Sequence, residues 1–251
     1  EDLKNTGYSS NNDLILNFDK SFGKFRIEGL AGGTIFYAKD DNFDAWTEGG
    51  LSIPGFYSLK ASKDPIGWST SFQRRQVNSL YGRAAFSWDN LAFVDVTGRN
   101  DWSSTLSKDN RSYFYPSVAG SLIVSELLPK ISWLDMWKLR TSWTISKTPA
   151  GIYDIMTAYE VNNEVWGGFN SAYYPTQLRT SDVRPQTTQT MEYGTAGNFL
   201  GNRLRFDLTY FRMRIYDFLT SAPLSDTNGF TSKYVNTDKE RIKKGLEIMV
   251  G

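Results

Sequence analysis

Cysteine and histidine are both missing from the 251 residues. Their absence removes disulfide frameworks, thiol nucleophiles, Cys/His zinc sites and histidine acid–base machinery in one step. Also missing is any run near the ~20 apolar residues that a membrane-crossing helix needs. An excess of charge of one sign is lacking too: 28 Lys plus Arg stand against 27 Asp plus Glu, a formal +1. That balance excludes a polybasic nucleic-acid binder, so nucleic acid is not an expected partner. The first residues show neither a cationic start nor an apolar core, so no targeting segment is expected within the chain. What is abundant is aromatic: 8 Trp, 14 Tyr and 16 Phe, 15% of the residues, alongside 21 Gly.

The patterning has period two almost throughout. In Met136–Ser146, Trp137, Leu139, Thr141, Trp143 and Ile145 alternate with Lys138, Arg140, Ser142, Thr144 and Ser146. Successive side chains of a strand point to opposite faces, so this segment has one apolar face and one polar face. Leu204, Phe206, Leu208 and Tyr210 alternate likewise with Arg205, Asp207 and Thr209, and Val94, Val96 and Gly98 with Asp95, Thr97 and Arg99. Further arms are expected at about 14–18, 25–37, 80–88, 118–124, 188–198 and 246–250. The sum is about nine strands, several longer than the ~5–6 residues usual in soluble sheets and close to the ~9–11 of a tilted membrane strand.

Connections alternate in length. Short ones are expected at Asp19–Lys24, Asp89–Asn90 and Phe199–Arg203, and a moderate one at Glu126–Asp135. Long ones are expected at about 38–77, 102–112, 147–187 and 217–242. Outer-membrane barrels have this asymmetry, with short periplasmic turns and long extracellular loops. The fold class expected is therefore all-β: a segment of a large antiparallel transmembrane barrel, read as a single barrel portion over 1–251. About nine strands do not close a bacterial barrel of even strand number, so the remaining strands are expected from elsewhere.

Glu28, Arg83, Asp95, Arg99, Lys138, Arg140, Arg205, Asp207 and Glu247 all fall opposite the apolar stripe. On a lipid face each Arg or Lys would cost about 2–4 kcal/mol at mid-bilayer, so they are read as the polar barrel interior. Aromatics in the long connections, Trp46, Tyr57, Trp166, Phe169, Tyr173 and Tyr174, are read as candidate ligand contacts, with loop packing as their competing role. Asp40, Asp41 and Asp44 lack the ligand spacing and glycine of a calcium loop. Asp101-Trp102-Ser103-Ser104 has no nucleophile elbow or partner base. No catalytic residue, metal or cofactor is expected.

Short motifs follow one another along the chain. They are Leu16-Asn17-Phe18 with Phe22-Gly23-Lys24, Tyr81-Gly82-Arg83, Arg99-Asn100-Asp101-Trp102-Ser103-Ser104, Tyr115-Pro116-Ser117 and Leu139-Arg140-Thr141-Ser142-Trp143. Phe199-Leu200-Gly201-Asn202-Arg203-Leu204, Tyr216-Asp217-Phe218-Leu219, Tyr234-Val235-Asn236 and Lys244-Gly245-Leu246-Glu247 complete the order. Together they resemble the SusC/RagA-type TonB-dependent outer-membrane transporters of Bacteroidota. Trp102 stands where that family usually has Gly, and Lys147-Thr148-Pro149 replaces its Gly-Asn ending.

The resemblance implies a mid-to-late part of a roughly 22-stranded, plugged barrel. It also implies import of glycans, oligosaccharides or peptides, a SusD-like surface lipoprotein as partner, and TonB acting through a plug outside this chain. A passive porin-type barrel segment and a soluble extracellular carbohydrate-binding β-domain remain alternative readings of the same residues.

Overall fold

The computed structural model describes residues 2–251, apart from the side chains of residues 163–166 and 226. Fourteen strands follow in order: β1 Asp2–Phe22, β2 Phe25–Leu51, β3 Ser62–Trp88, β4 Ala92–Ser103, β5 Ser112–Ile123, β6 Leu134–Thr148, β7 Glu160–Trp166, β8 Phe169–Tyr173, β9 Gln177–Leu178, β10 Gln186–Phe199, β11 Leu204–Tyr216, β12 Leu219–Pro223, β13 Ser232–Asn236 and β14 Arg241–Val250. Nine of them form one antiparallel sheet in the order β1-β2-β3-β4-β5-β6-β10-β11-β14. The remaining five form two small sheets inside the long connections, β12-β13-β9 and β7-β8.

Opposed residues in an antiparallel pair share a face, so the registers carry one face across the whole sheet. A single row runs Phe22, Phe25, Trp88, Ala92, Leu122, Leu139, Thr195, Leu208, Ile248. It crosses all nine strands without a charge. On the other face a neighbouring row runs Ser21, Arg26, Ser87, Phe93, Ser121, Arg140, Gly194, Thr209, Glu247. The apolar face is bare: Leu16, Leu80, Phe114, Leu246 and Ile248 are 57–68% exposed. A soluble monomer rarely leaves so much contiguous apolar surface in water. Glycines on the sheet admit aromatic rings, as where Tyr81 lies across Gly32 and Phe206 across Gly197. A Cβ there would stand 2.7 and 2.5 Å from the ring, which is why glycine recurs within these strands.

The structure corrects four of the expected connections. The connection expected at 38–77 is mostly strand: β2 and β3 each run 27 residues, and only 52–61 connects them. At ~3.4 Å per residue such a strand approaches ~90 Å, far more than the ~9–11 residues that cross a bilayer. The turn expected over Asp19–Lys24 tightens to Gly23-Lys24, because Phe22 already pairs with Phe25. The connections at 147–187 and 217–242 likewise hold the five short strands β7, β8, β9, β12 and β13.

Asp89-Asn90 closes β3 and β4 with φ of 49° and 53°, and the Leu91 amide donates to the Trp88 carbonyl at 2.8 Å. Asp89 and Asn90 take the left-handed region and Leu91 completes a three-residue link between the paired Trp88 and Ala92; Asp and Asn tolerate that conformation. Asn90→Val is expected to cost about 1–2 kcal/mol, since a β-branched side chain clashes there, while Asn90→Gly is expected to be near neutral. Urea unfolding of the whole protein in lipid vesicles measures both. Equal midpoints for the two variants would contradict the turn.

Candidate functional site

The register puts all nine sequence-derived polar positions, from Glu28 to Glu247, on the same face of the large sheet. Six of them are held by ion pairs or charge-assisted hydrogen bonds. Arg140 grips Asp207 with two bonds of 2.7 and 2.6 Å and donates a third, of 2.6 Å, to the Thr209 hydroxyl. That fork-on-carboxylate geometry suits a guanidinium better than an ammonium. Its stem lies across Gly194, where a Cβ would stand 2.4 Å from Arg140 Nε. Arg83 Nε donates to Asp95 at 2.6 Å. Arg26 bridges Asp19 and Glu28, each at 2.8 Å from Nη2. Arg99 donates to Asp101 at 2.7 Å and to Ser79 at 2.9 Å, and the Tyr115 hydroxyl donates to Asp101 at 2.7 Å. Lys138, Arg205 and Glu247 have no ion-pair partner among the described residues.

Sequence reading missed Asp19, Arg26, Asp101 and Tyr115 as members of this network. Strand parity was the available signal, since each lies on the same face as a residue already singled out.

The long-connection end has its own small core. Leu106, Tyr113, Ala150 and Val183 are buried together, with Tyr115, Ile155, Leu219 and Tyr234 packed against them. Arg179 pairs with Asp154 at 2.5 Å and lies 5.7 Å from the Tyr234 ring centroid. Burial pushes the Tyr234 hydroxyl pKa up. The Asn236 amide clamps the Arg184 backbone in both directions at 2.8 Å and reaches the Asp217 carbonyl at 2.7 Å. These bonds tie residues ~50 positions apart in sequence into one folded cap.

The aromatic candidates divide into two groups with no ring contact between them among the described residues. Trp46 lies across Gly67 on the tall β2–β3 wall, its indole N–H donating to Glu48 at 2.5 Å. Tyr57 sits in the 52–61 connection and is 89% exposed. Phe169 and Tyr173 belong to the β7–β8 hairpin, Phe169 at 80% exposure. The Tyr173 hydroxyl donates to the Glu160 carboxylate, which raises its pKa. Tyr174 follows the hairpin and meets Tyr159 edge-on at 5.0 Å and Phe230 at 5.2 Å. Phe230 is not among the aromatics that the sequence points to. The side chain of Trp166 lies outside the described residues.

Among the described residues, no group of three or more Asp and Glu is placed to hold a metal ion. Strand alternation separates Asp41 from Asp40 and Asp44, which take the opposite face of β2.

Residues 2–250 match the family described as TonB dependent receptor-like, beta-barrel. TonB-dependent receptor P3 of Formosa agariphila is 22% identical over 251 residues, covering 94% of this chain and 24% of that protein. TonB-dependent receptor SusC of Bacteroides thetaiotaomicron is 23% identical, covering 99% of this chain and 25% of that protein. The chain thus spans about a quarter of the length of the curated relatives it matches. A structure of the RagAB peptide transporter superposes with a TM-score of 0.84 at 20% identity, over 99% of this chain and 28% of the other. A structure of the FpvAI–pyocin S2 complex gives 0.57 at 16% identity. From that match over nearly every residue, and from a two-faced nine-stranded wall, the chain belongs to the TonB dependent receptor-like β-barrel family.

Proposed function

We propose that this chain is part of the wall of a TonB-dependent importer that takes up glycans, oligosaccharides or peptides. The observation that carries the reading is the division of one sheet into a largely apolar face, one row of which crosses all nine strands without a charge, and a polar face rich in ion pairs. In this reading the apolar face meets lipid, and Glu28, Arg83, Asp95, Arg99, Lys138, Arg140, Arg205, Asp207 and Glu247 face the barrel interior. Charges held by partners suit a wide interior filled by water or a polar plug. The plug, the TonB box and the other strands would come from outside residues 1–251.

Cargo capture falls to the long-connection end. The β7–β8 hairpin with Phe169, Tyr173 and Tyr174 would supply exposed rings for stacking on sugars or peptide side chains. Trp46 and Tyr57 would do the same on the tall β2–β3 wall, and a SusD-like lipoprotein would close over them. No chemical step is required: cargo binds, the lid closes and TonB displaces the plug. Peptide cargo gains support from the likeness to the RagAB peptide transporter, and glycan cargo from the resemblance to SusC. A soluble carbohydrate-binding domain would leave the bare face in water, which weighs against it.

A passive porin shares the two-faced wall but needs no energy coupling. The test is uptake of labelled oligosaccharide and peptide pools by cells carrying the whole protein, with and without TonB. Import predicts that uptake collapses without TonB, and that deleting residues 160–173 lowers capture several-fold while heat-modifiable gel migration persists. Uptake indifferent to TonB would replace the importer with a porin.

A further inference from the structure

One row of the otherwise apolar face changes character partway across. It runs Phe18, Gly29, Ala84, Val96, Val118, Trp143, Met191 and then Arg212 and Lys244. Arg212 and Lys244 are directly opposed across β11 and β14, and both are exposed. Like charges placed so are mutually destabilising unless something neutralises them. Neither has an ion-pair partner among the described residues. The carboxylate that Arg212 acts on electrostatically is that of Glu240, and both its oxygens are taken by Arg214 at 2.6 Å. Arg214 holds the Glu240 carboxyl below the usual range, with a smaller lowering contribution from Arg212.

Directly beneath the two cations lies an apolar groove of about 600 Å³. Ala92, Gly120, Thr141 and Thr195 leave room along it, and Leu139, Tyr193, Tyr210 and Leu246 are among the larger side chains that line it. Tyr210 and Leu246 are the same-face neighbours of Arg212 and Lys244, two residues along each strand. That spacing is ~7 Å, so cation and groove are contiguous. Tyr193 and Tyr210 line the groove, and Trp143 stands in the same row as the two cations. The end is that of the long connections, the external side of an outer-membrane barrel.

We propose that Arg212 and Lys244, with the groove below them, form a docking site for a phosphate-bearing lipid of the outer leaflet. The phosphate bridges the two cations in charge-assisted hydrogen bonds, and an acyl chain lies along the groove. Charge complementarity and continuity with the apolar face select this occupant over a protein partner, which would not need both. The site rests on the membrane placement of the wall and is independent of cargo or import.

The test uses the whole protein in neutral detergent, with native mass spectrometry counting retained lipid. The probes are diphosphorylated lipid A, the same lipid with its phosphates removed, and inorganic phosphate. The expectation is that wild type retains the phosphorylated lipid, that Arg212→Ser/Lys244→Ser weakens retention by about thirtyfold, and that Arg212→Lys keeps most of it. Heat-modifiable migration confirms that each variant is folded. Should the double variant misfold, Arg212→Gln alone, with an expected loss of about fivefold, carries the comparison. Equal retention of the dephosphorylated lipid, displacement by inorganic phosphate at equal concentration, or undiminished binding by the variants would each overturn the proposal. Uptake indifferent to TonB, with lipid retention intact, would instead count against import alone.

Discussion

Leu208→Arg is expected to destabilise the barrel by about 2–4 kcal/mol, a roughly 30- to 1000-fold shift toward the unfolded state. Leu208 sits mid-strand in β11, between Thr195 of β10 and Ile248 of β14, in the row that crosses all nine strands without a charge. An arginine there has no carboxylate on its own face within reach, and hydrocarbon offers no water. The control is Thr144→Arg on β6, whose position shares the face of Arg140 and Lys138. It is expected to change stability by less than ~1 kcal/mol, because that face already solvates charge. Denaturant titration of the whole protein in lipid vesicles reads both. If the two substitutions cost the same, the two faces do not meet different solvents, and the membrane placement goes with them.

The second large effect concerns the clamp between Arg140 and Asp207. Arg140→Ala removes both bonds to Asp207 and the one to Thr209. Bonds to charged groups contribute ~1.5–3 kcal/mol in favourable settings, but the Arg140 side chain is 41% exposed, so screening reduces the expectation to about 1–2 kcal/mol. Gly194→Val reaches the same end by another route. A side chain at 194 would occupy the space where the Arg140 stem lies and push the guanidinium off the carboxylate. The two substitutions should therefore be strongly non-additive, the double variant losing little more than the worse single one. Full additivity in the same vesicle titration would mean that Gly194 serves something other than seating Arg140.

Much of the wall was legible beforehand because alternation contrasts two solvents. Trp137 to Ile145 and Leu204 to Tyr210 declare an apolar and a polar face, and the structure puts both segments in the nine-stranded sheet. The contrast vanishes where strands leave the bilayer, and so did the reading. Residues 39–44 run Lys39-Asp40-Asp41-Asn42-Phe43-Asp44, with polar residues on both sides, so the pattern predicts a loop where the structure has strand. Hydrogen-bonded pairing with β1 and β3, not burial of a face, makes them extended. The short strands β9, β12 and β13 escaped for a related reason. Their regularity comes from the cap core around Leu106 and Val183, whose members lie far apart in sequence.

The clamp, too, could not be paired in advance. Arg140 and Asp207 were each placed on the polar side, yet 67 residues separate them and several other carboxylates were eligible. The aromatic candidates Phe169, Tyr173 and Tyr174 were recognisable by type and neighbourhood. Their grouping on one hairpin, apart from Trp46 and Tyr57, was not.

What the amino-acid order determined alone is the side each strand residue takes, the rhythm of short and long connections, and the chemistry denied by missing cysteine and histidine. What the tertiary structure decided is which residues meet: the register that sets Arg212 against Lys244, the fork of Arg140 on Asp207, and the reach of β2 and β3 beyond the bilayer. The physical reason is that the pleat has a period of two within one strand, whereas register is settled between strands, by turns and by pairing partners brought from distant parts of the chain.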